Sequence, residues 1–238
     1  MITRRNFLII TSGALLTAPS LWADVMVPIM LDHLLLGCSD LNQGIASVEK
    51  HTGVRPAMGG VHPGRGTRNA LLALGQGRYL EVIAPDPAQA TIPAKIAELP
   101  AMLKQLTTPQ LVTWAVHTPN IEASAERLRK YGVAFHGPTA GSRARPDGRT
   151  LHWKTLNFDD DGNGLLPFLI EWGADSVHPS VDAPAGCKLE SFAVVSADRA
   201  SLAADFQKLG IDVEVETGTS SHLKAKIVGP KGTLSLGE

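Results

Sequence analysis

Residues 31–53 read LDHLLLGCSDLNQGIASVEKHTG, and this stretch contains the unit on which the fold is built. The apolar run at residues 31–37 has the composition of a buried strand. Asp40 can cap a following helix, whose apolar residues recur at i, i+4 and i+7, and Gly53 can end that helix. The stretch therefore predicts a strand followed by an amphipathic helix.

The same strand and helix pattern occurs twice more along the chain. Asn120 lies 80 residues after the first cap, Asp198 lies 78 residues after the second, and Gly132 and Gly210 can end the two helices. Each helix is followed by short β-forming runs separated by Gly, Pro and Asp. We therefore predict an α+β protein made of tandem βαβββ modules.

We place the first two modules at residues 28–85 and 110–173, and a third, smaller βαββ-type module at 187–238. Four strands with one helix cannot bury both faces of a sheet, so the first two modules must pack around a common interior. Together they are predicted to form one domain over residues 28–180. The third module has no comparable polar residues on its strands, and we interpret it as structural, either flanking the others or mediating a homodimer.

Two glutamates indicate where chemistry could occur. Glu81 in YLEVI (79–83) and Glu171 in FLIEW (168–172) lie in runs that are apolar on both faces, and His33 has the same setting. A carboxylate in such a run costs roughly several kcal/mol to desolvate, so each acid needs a partner. Imidazole and carboxylate together bind divalent metals, which makes a cation between strands one candidate partner. Plain salt bridges are the alternative.

The first residues indicate export from the cytoplasm. Arg4 and Arg5 precede an apolar stretch at residues 7–18, and small residues end at Ala23, which is the pattern of a twin-arginine signal peptide over residues 1–23. About a dozen apolar residues are too few to span a bilayer, which takes about 20. We expect cleavage after Ala23 and a periplasmic protein that is not held in the membrane; an uncleaved anchor is the alternative.

The composition argues against other classes of protein. Without the two signal-peptide arginines, 20 basic residues face 23 acidic ones, a formal charge of −3, and no nucleic-acid-binding pattern is visible. The apolar content of 44 % is sufficient for a core. Cys38 and Cys187 match no zinc or redox motif; they could form a disulfide in an oxidising compartment or remain buried thiols.

Four segments of the chain resemble the glyoxalase-like domain family of the vicinal oxygen chelate (glyoxalase/bleomycin resistance/dioxygenase) superfamily. The segments are LDHLLLG (31–37), HPGRGTRNALL (62–72), YLEVIAPD (79–86) and PFLIEWG (167–173). The resemblance implies that the first two modules form a curved, half-open barrel around a cavity. It also implies a divalent metal ion, such as Zn, Ni, Fe or Mn, bound by the first and last strands of each module.

Carried over by position, the resemblance implies that His33, Glu81 and Glu171 bind this metal. The fourth position departs from the pattern, since Thr113 lies seven residues before the second cap, where His33 would require a counterpart. His117 is a possible substitute, but it lies four residues beyond Thr113 on the same strand, about 13 Å away at about 3.3 Å per residue, which is too far in this register. Three protein ligands with open positions would still suit a catalytic metal.

Other polar residues are predicted to surround the cavity mouth. The Gly-rich loop at residues 62–69 lacks the Lys-Ser/Thr ending of a phosphate-binding loop. Within it, His62 is a candidate general base and Asn69 a candidate hydrogen-bond partner of a ligand carbonyl. The remaining candidates for binding an anionic substrate are Arg65, Arg143, Arg145 and Trp153. For each of these residues, an ordinary surface or core position is the alternative.

Together these features predict an exported, glyoxalase-like, metal-dependent lyase or isomerase that acts on a small oxygenated, anionic molecule. The metal would polarise the substrate oxygens, and Glu171 and His62 would move a proton beside the carbonyl. The alternative is a non-catalytic protein of the same fold that binds or sequesters a small molecule. In that case Glu81 and Glu171 would pair with His33 and the loop arginines, without a metal.

Overall fold

A computed structural model describes residues 31–89, 91–145 and 147–238. The predicted signal peptide at residues 1–23 lies outside this part of the chain. None of the helices in these three ranges has the length and apolar character needed to cross a membrane.

The strands and helices of the described residues alternate in three similar series. The strands are β1 (Leu31–Gly37), β2 (Ala57–His62), β3 (Thr67–Ala73), β4 (Tyr79–Pro85), β5 (Gln110–His117), β6 (Phe135–Ala144), β7 (Thr150–Phe158), β8 (Phe168–Trp172), β9 (Lys188–Ser196), β10 (Glu214–Thr217), β11 (His222–Gly229) and β12 (Gly232–Leu236). The α-helices are α1 (Leu41–Thr52), α2 (Glu98–Lys104), α3 (Ile121–Lys130), α4 (Pro179–Asp182) and α5 (Arg199–Leu209). A short 3₁₀ helix at Ala94–Ile96 precedes α2.

The residues predicted to cap the starts of the three main helices do so, and two of the three predicted glycines cap their ends; α3 ends instead at Tyr131, one residue before Gly132. The side chains of Asp40, Asn120 and Asp198 each accept a hydrogen bond from the backbone amide three residues further on. Gly53 and Gly210 end α1 and α5 in the left-handed conformation, with φ of 80° and 73°. Local capping chemistry therefore sets the helix boundaries.

The first two series join into one sheet of eight strands, in the order β2-β3-β4-β1-β5-β8-β7-β6. At its centre β1 pairs antiparallel with β5, and each of them pairs in parallel with the last strand of its own series, β4 or β8. The sheet curls so that its edge strands meet, and Arg143 of β6 donates a hydrogen bond to the carbonyl oxygen of Gly59 on β2. The predicted α+β fold with a half-open barrel is confirmed.

The third series, β9-α5-β10-β11-β12, forms a separate four-stranded sheet in the order β10-β9-β11-β12. It contains one strand more than the smaller βαββ-type unit expected from the sequence. Its pairing also differs from that of the first two series, because β9 lies between β10 and β11, whereas β1 pairs with β4. The third unit therefore repeats the order of elements but not their arrangement.

The third unit packs against the outer face of the eight-stranded sheet. Trp114 of β5 is fully buried there, with ring centroids 5.0 Å from Phe192 and 6.0 Å from Phe206. Its indole Nε1 donates a hydrogen bond to the carbonyl oxygen of Leu165. Apolar residues of both sheets form one core cluster, so this unit flanks the barrel. A role in dimerisation stays a prediction.

Both cysteines lie in this core as free thiols. The Sγ of Cys38 donates to the carbonyl oxygen of Ile83, and burial raises the pKa of the Cys38 thiol to about 11. Of the two alternatives for Cys38 and Cys187, the structure therefore contains the unpaired one.

Candidate active site

The inner faces of β1 and β4 bring three polar side chains together inside the barrel. His33 and Tyr79 stack with ring centroids 4.5 Å apart, and Nε2 of His33 lies 3.6 Å from Oε2 of Glu81. The exposed fractions of His33 and Glu81 are 2 % and 7 %. Two of the residues predicted to act together are thus adjacent and enclosed.

Asp32 precedes His33 in β1. Because the β1–β5 register shifts at this point, both of these adjacent side chains can contact the same cluster. Its Oδ1 lies 2.6 Å from Nδ1 of His33, while Oδ2 accepts from Trp172 Nε1 at 3.0 Å and lies 3.2 Å from His178 Nε2. Burial alone would raise the pKa of Asp32, but hydrogen bonds from His117, His178 and His33 hold it well below its usual range. The ionised carboxylate therefore accepts the Nδ1 proton of His33, and Nε2 faces Glu81.

His62, at the end of β2, approaches Glu81 from the other side. Its Nε2 lies 3.6 Å from Oε1 of Glu81, and its Nδ1 lies 2.8 Å from Oγ1 of Thr67. The amide of Asn69 donates to Glu81 Oε1 at 2.8 Å and lies 3.3 Å from His62 Nε2. Burial lowers the pKa of His62, although the charge of Glu81 opposes this. Burial thus favours the neutral form of the His62 imidazole, whose Nε2 faces Glu81.

Arg143 of β6 is a buried cation of the second module near Glu81 and His62. It is 4 % exposed, and the charge of Glu81 acts on it across the cavity. Its position depends on Gly60, whose φ is 146° and where a Cβ would lie 2.8 Å from the carbonyl oxygen of Ala144 and 3.0 Å from Arg143 Nη1. A glycine is required because β2 and β6 approach so closely here. The role of Arg143 in substrate binding stays a prediction.

Glu171 does not join His33 and Glu81, which corrects the grouping expected from the sequence. Its neighbour Trp172 and the preceding Phe168 point into the barrel, where Phe168 meets the His33 ring at 5.5 Å. Side chains alternate across a strand, so Glu171 points to the opposite face. Its carboxylate there accepts a hydrogen bond from the backbone amide of Ile121, the first residue of α3. Glu171 is therefore not placed for its predicted roles in metal binding and proton transfer beside His33 and Glu81.

Arg145 and Arg65 are the other two arginines predicted to bind substrate. Arg145 forms ion pairs with Asp182 of α4 and Asp147. Its charge is thus compensated by carboxylates that do not belong to the site. Arg65 is exposed in the loop after β2 and is near enough for its charge to lower the pKa of His62 slightly further. Their roles in substrate binding stay predictions.

Aromatic side chains from the second module form part of the cavity wall. Trp153 of β7 lies 6.5 Å from His62 and 5.9 Å from Trp172, measured between ring centroids. The role of Trp153 in substrate binding stays a prediction. The sequence patterns assign no role to Asp32 or His178. Asp32 could have been recognised, because it is an acidic residue next to His33 in an otherwise apolar strand.

The metal site that the resemblance implies is only half present. In the first module, Glu81 lies two residues beyond the β4 partner of His33. In the second module, Ala115 of β5 lies opposite His33. Ala115 pairs with Phe168 of β8, and Ile170 lies two residues beyond Phe168. Ala115 and Ile170 thus occupy the positions that correspond to His33 and Glu81. Alanine and isoleucine cannot bind a metal. Among the residues the structure describes, no group of three or more His, Cys, Asp or Glu side chains is arranged to hold a metal ion. The residues present do not complete the family's metal site.

A groove of about 360 Å³ lies on the other face of the sheet, between α3 and the third unit. Its lining is mostly apolar and includes Leu128, Phe158 and Leu169, with Arg127 at its edge. None of the clustered titratable groups opens into it. We therefore place the chemistry in the barrel interior, where those groups converge.

A family model and one solved structure agree with this architecture, and two further solved structures are similar to the chain over part of its length. A family model described as a glyoxalase-like domain matches residues 31–210. A hypothetical protein from Staphylococcus aureus superposes with a TM-score of 0.65 at 18 % identity, over 87 % of this chain and 98 % of that one. Methylmalonyl-CoA epimerase from Mycobacterium tuberculosis gives a TM-score of 0.43 at 20 % identity, over 63 % and 91 % of the two chains. An epimerase in complex with methylmalonyl-CoA and NH4+ gives 0.45 at 19 %, over 63 % and 99 %. No curated protein matches the chain.

Proposed function

Because the chain belongs to the glyoxalase-like domain family, we propose that it is a lyase or isomerase acting on a small oxygenated, anionic molecule inside the half-barrel. The observation that supports this most strongly is the buried carboxylate of Glu81, which lies 3.6 Å from an imidazole nitrogen on each side. Buried acids and bases held in contact are typical of sites that transfer protons. A structural role alone would not require two histidines at one carboxylate.

In the proposed reaction, Glu81 removes a proton from the carbon next to a substrate carbonyl. The C–H bond breaks, the proton moves to a carboxylate oxygen, and the electron pair passes to the carbonyl oxygen as an enolate. Return of the proton to the other face of that carbon gives an isomer; expulsion of a group from the adjacent carbon gives a lyase product. His62 is placed to relay the proton, since its Nε2 faces Oε1 of Glu81 at 3.6 Å.

The anionic part of the substrate is assigned to Arg143, the buried cation beside the cluster. A guanidinium binds a carboxylate through two parallel hydrogen bonds. The side chain of Asn69 fixes Glu81 through its Nδ2, while its Oδ1 is buried beside Gly59. Trp153 and Phe168 supply apolar walls on the second module's side.

Solvent exchange tests this proposal without knowledge of the natural substrate. A panel of small 2-oxo carboxylates is incubated with the protein in D2O, and loss of the proton signal next to the carbonyl is followed by NMR. We expect enzyme-dependent exchange for at least one compound, lost in Glu81→Gln and kept in the exposed control Glu126→Gln. Exchange that persists in Glu81→Gln would rule out this base. Compounds that raise the melting temperature but never exchange would identify a binding protein instead.

We further propose that the protein is exported to the periplasm by the twin-arginine route, supported by Arg4 and Arg5 ahead of the apolar stretch. The mature protein is expected to begin at Asp24. Replacing both arginines by lysine should retain the unprocessed chain in the cytoplasm, as read by cell fractionation and N-terminal sequencing. Unchanged localisation of that variant would contradict the proposal.

A further inference from the structure

We infer that this barrel holds no resident divalent metal and that its polar groups form an acid–base centre made of protein side chains alone. The catalytic half of this inference rests on the proposed function; the statement about the metal does not. It starts from the two positions at which the second module would have to supply ligands. Ala115 is fully buried and Ile170 is 3 % exposed, so both positions are filled by apolar side chains.

No other donor near the cluster is free to replace them. His62 and His33 approach different oxygens of Glu81, and no group of three or more His, Cys, Asp or Glu side chains among the described residues is arranged to hold a metal ion. Between His62 and Glu81 the amide of Asn69 contacts both, at 3.3 Å and 2.8 Å, and occupies the position that a shared ion would need. Glu171 lies on the opposite face of its strand, bound to the amide of Ile121.

The remaining histidines are directed elsewhere. His178 donates to Asp32, and Nδ1 of His117 lies 3.6 Å from the same carboxylate. Asp32 also accepts the Nδ1 proton of His33, which orients that ring so that Nε2 faces Glu81 directly. In metal sites such a carboxylate–histidine pair positions a ligand. Here the same pair positions an imidazole against a carboxylate, and the contact between His33 and Glu81 takes the place of the ion.

The strand register provides a gain-of-function test. Ala115→His and Ile170→Glu, made together, replace the two apolar side chains at the second module's ligand positions by an imidazole and a carboxylate. After incubation with excess Zn2+ or Ni2+ and desalting, we expect the wild-type protein to retain less than about 0.1 equivalent and the double variant about one equivalent, because four suitable ligands bind such ions tightly. Metal is measured by mass spectrometry, and circular dichroism checks that the variant is folded.

The wild-type protein decides the question even if the double variant fails to fold. About one equivalent of a divalent metal in protein purified without chelator, lost in Glu81→Gln, would overturn the inference. Proton exchange that continues in EDTA supports it, whereas exchange that stops in EDTA and returns with added metal overturns it. If no exchange occurs under any condition, the proposed enzyme is wrong, and metal content still tests the absence of a resident ion.

Discussion

The indole Nε1 of Trp172 donates a 3.0 Å hydrogen bond to Oδ2 of Asp32, which links the last strand of the second module to the first strand of the first. The same carboxylate orients His33 through its other oxygen. One ionised side chain therefore connects the aromatic wall of the cavity with the histidine that contacts Glu81.

Asp32→Asn tests this link. The amide keeps the shape of the side chain but removes the charge that fixes the His33 tautomer, so we expect exchange activity to fall by about 10- to 100-fold. Trp172→Phe removes a single donor and leaves the Asp32–His33 contact intact, and a smaller loss is expected. Nitrogen-15 NMR of the His33 ring measures the tautomer independently of activity. An unchanged His33 spectrum in Asp32→Asn would contradict the assigned role.

The buried His62 makes stability depend on pH. Its folded pKa is lowered by burial below the unfolded value of about 6.5, so its contribution is fully present above that value and is lost as pH falls through the folded pKa. The hydrogen bond to Asp32 raises the pKa of His117. This shift has the opposite effect on stability: it stabilises the folded protein below about pH 6.5, and the stabilisation is lost as pH rises through the folded pKa. We expect wild-type protein to lose more unfolding free energy between pH 7.5 and 5.5 than His62→Gln, measured by urea denaturation.

The contact between the barrel and the third unit should be essential to folding. Truncation of Trp114 or Phe192 to alanine is expected to cost about 3–5 kcal/mol, because each fills a fully enclosed position in the shared core. Tyr131, which is 55 % exposed, is the matched control, and its alanine variant should change stability by about 0.5 kcal/mol or less. Equal effects at Trp114 and Tyr131 in chemical denaturation would argue against one common core.

Gly60 should tolerate no side chain. Gly60→Ala combines an unfavourable φ with a close contact to the carbonyl oxygen of Ala144, and we expect a loss of about 1–3 kcal/mol together with weaker binding at Arg143. Gly148→Ala is the control, since its φ is 84° but no atom lies within 4 Å of the added Cβ. Thermal unfolding of both variants separates the cost of the backbone conformation from that of the steric contact.

Arg143 and Arg149 should differ as substrate-binding residues. Arg143→Ala removes the buried cation, and we expect the KM of an exchanging carboxylate to rise by about tenfold or more, the effect of losing one charge-assisted hydrogen bond. Arg149 is exposed and pairs with Asp147 and Asp182, so Arg149→Ala should leave KM unchanged. A similar rise in both variants would point to a general electrostatic effect rather than to a contact with Arg143.

Much of the architecture could be predicted from local sequence chemistry. The caps at Asp40, Asn120 and Asp198 act over three residues and need no tertiary information, so the repeated helices were predictable. The adjacency of His33 and Glu81 was predictable for a similar reason, because both lie in strands buried on two faces and neither could remain without a polar neighbour.

The face occupied by Glu171 was not predictable in the same way. In a strand that is apolar on both faces, the two-residue alternation does not reveal which face is the interior, and a shift of one residue reverses every side chain. The irregular register at Asp32 is equally invisible in the pattern, since it depends on pairing with β5, which is distant in sequence. The third unit's different strand order likewise arises from tertiary pairing.

The two halves of the barrel contribute unequally to the cavity. His33, His62, Asn69 and Glu81 come from the first half, whereas Trp153, Phe168 and Trp172 come from the second. In the proposed function, the proton-transferring groups therefore come from the first half of the barrel and most of the aromatic wall comes from the second. Directed evolution toward new substrates is best aimed at β7, which contributes Trp153, because β6 carries Arg143 and β8 carries Trp172, the donor to Asp32.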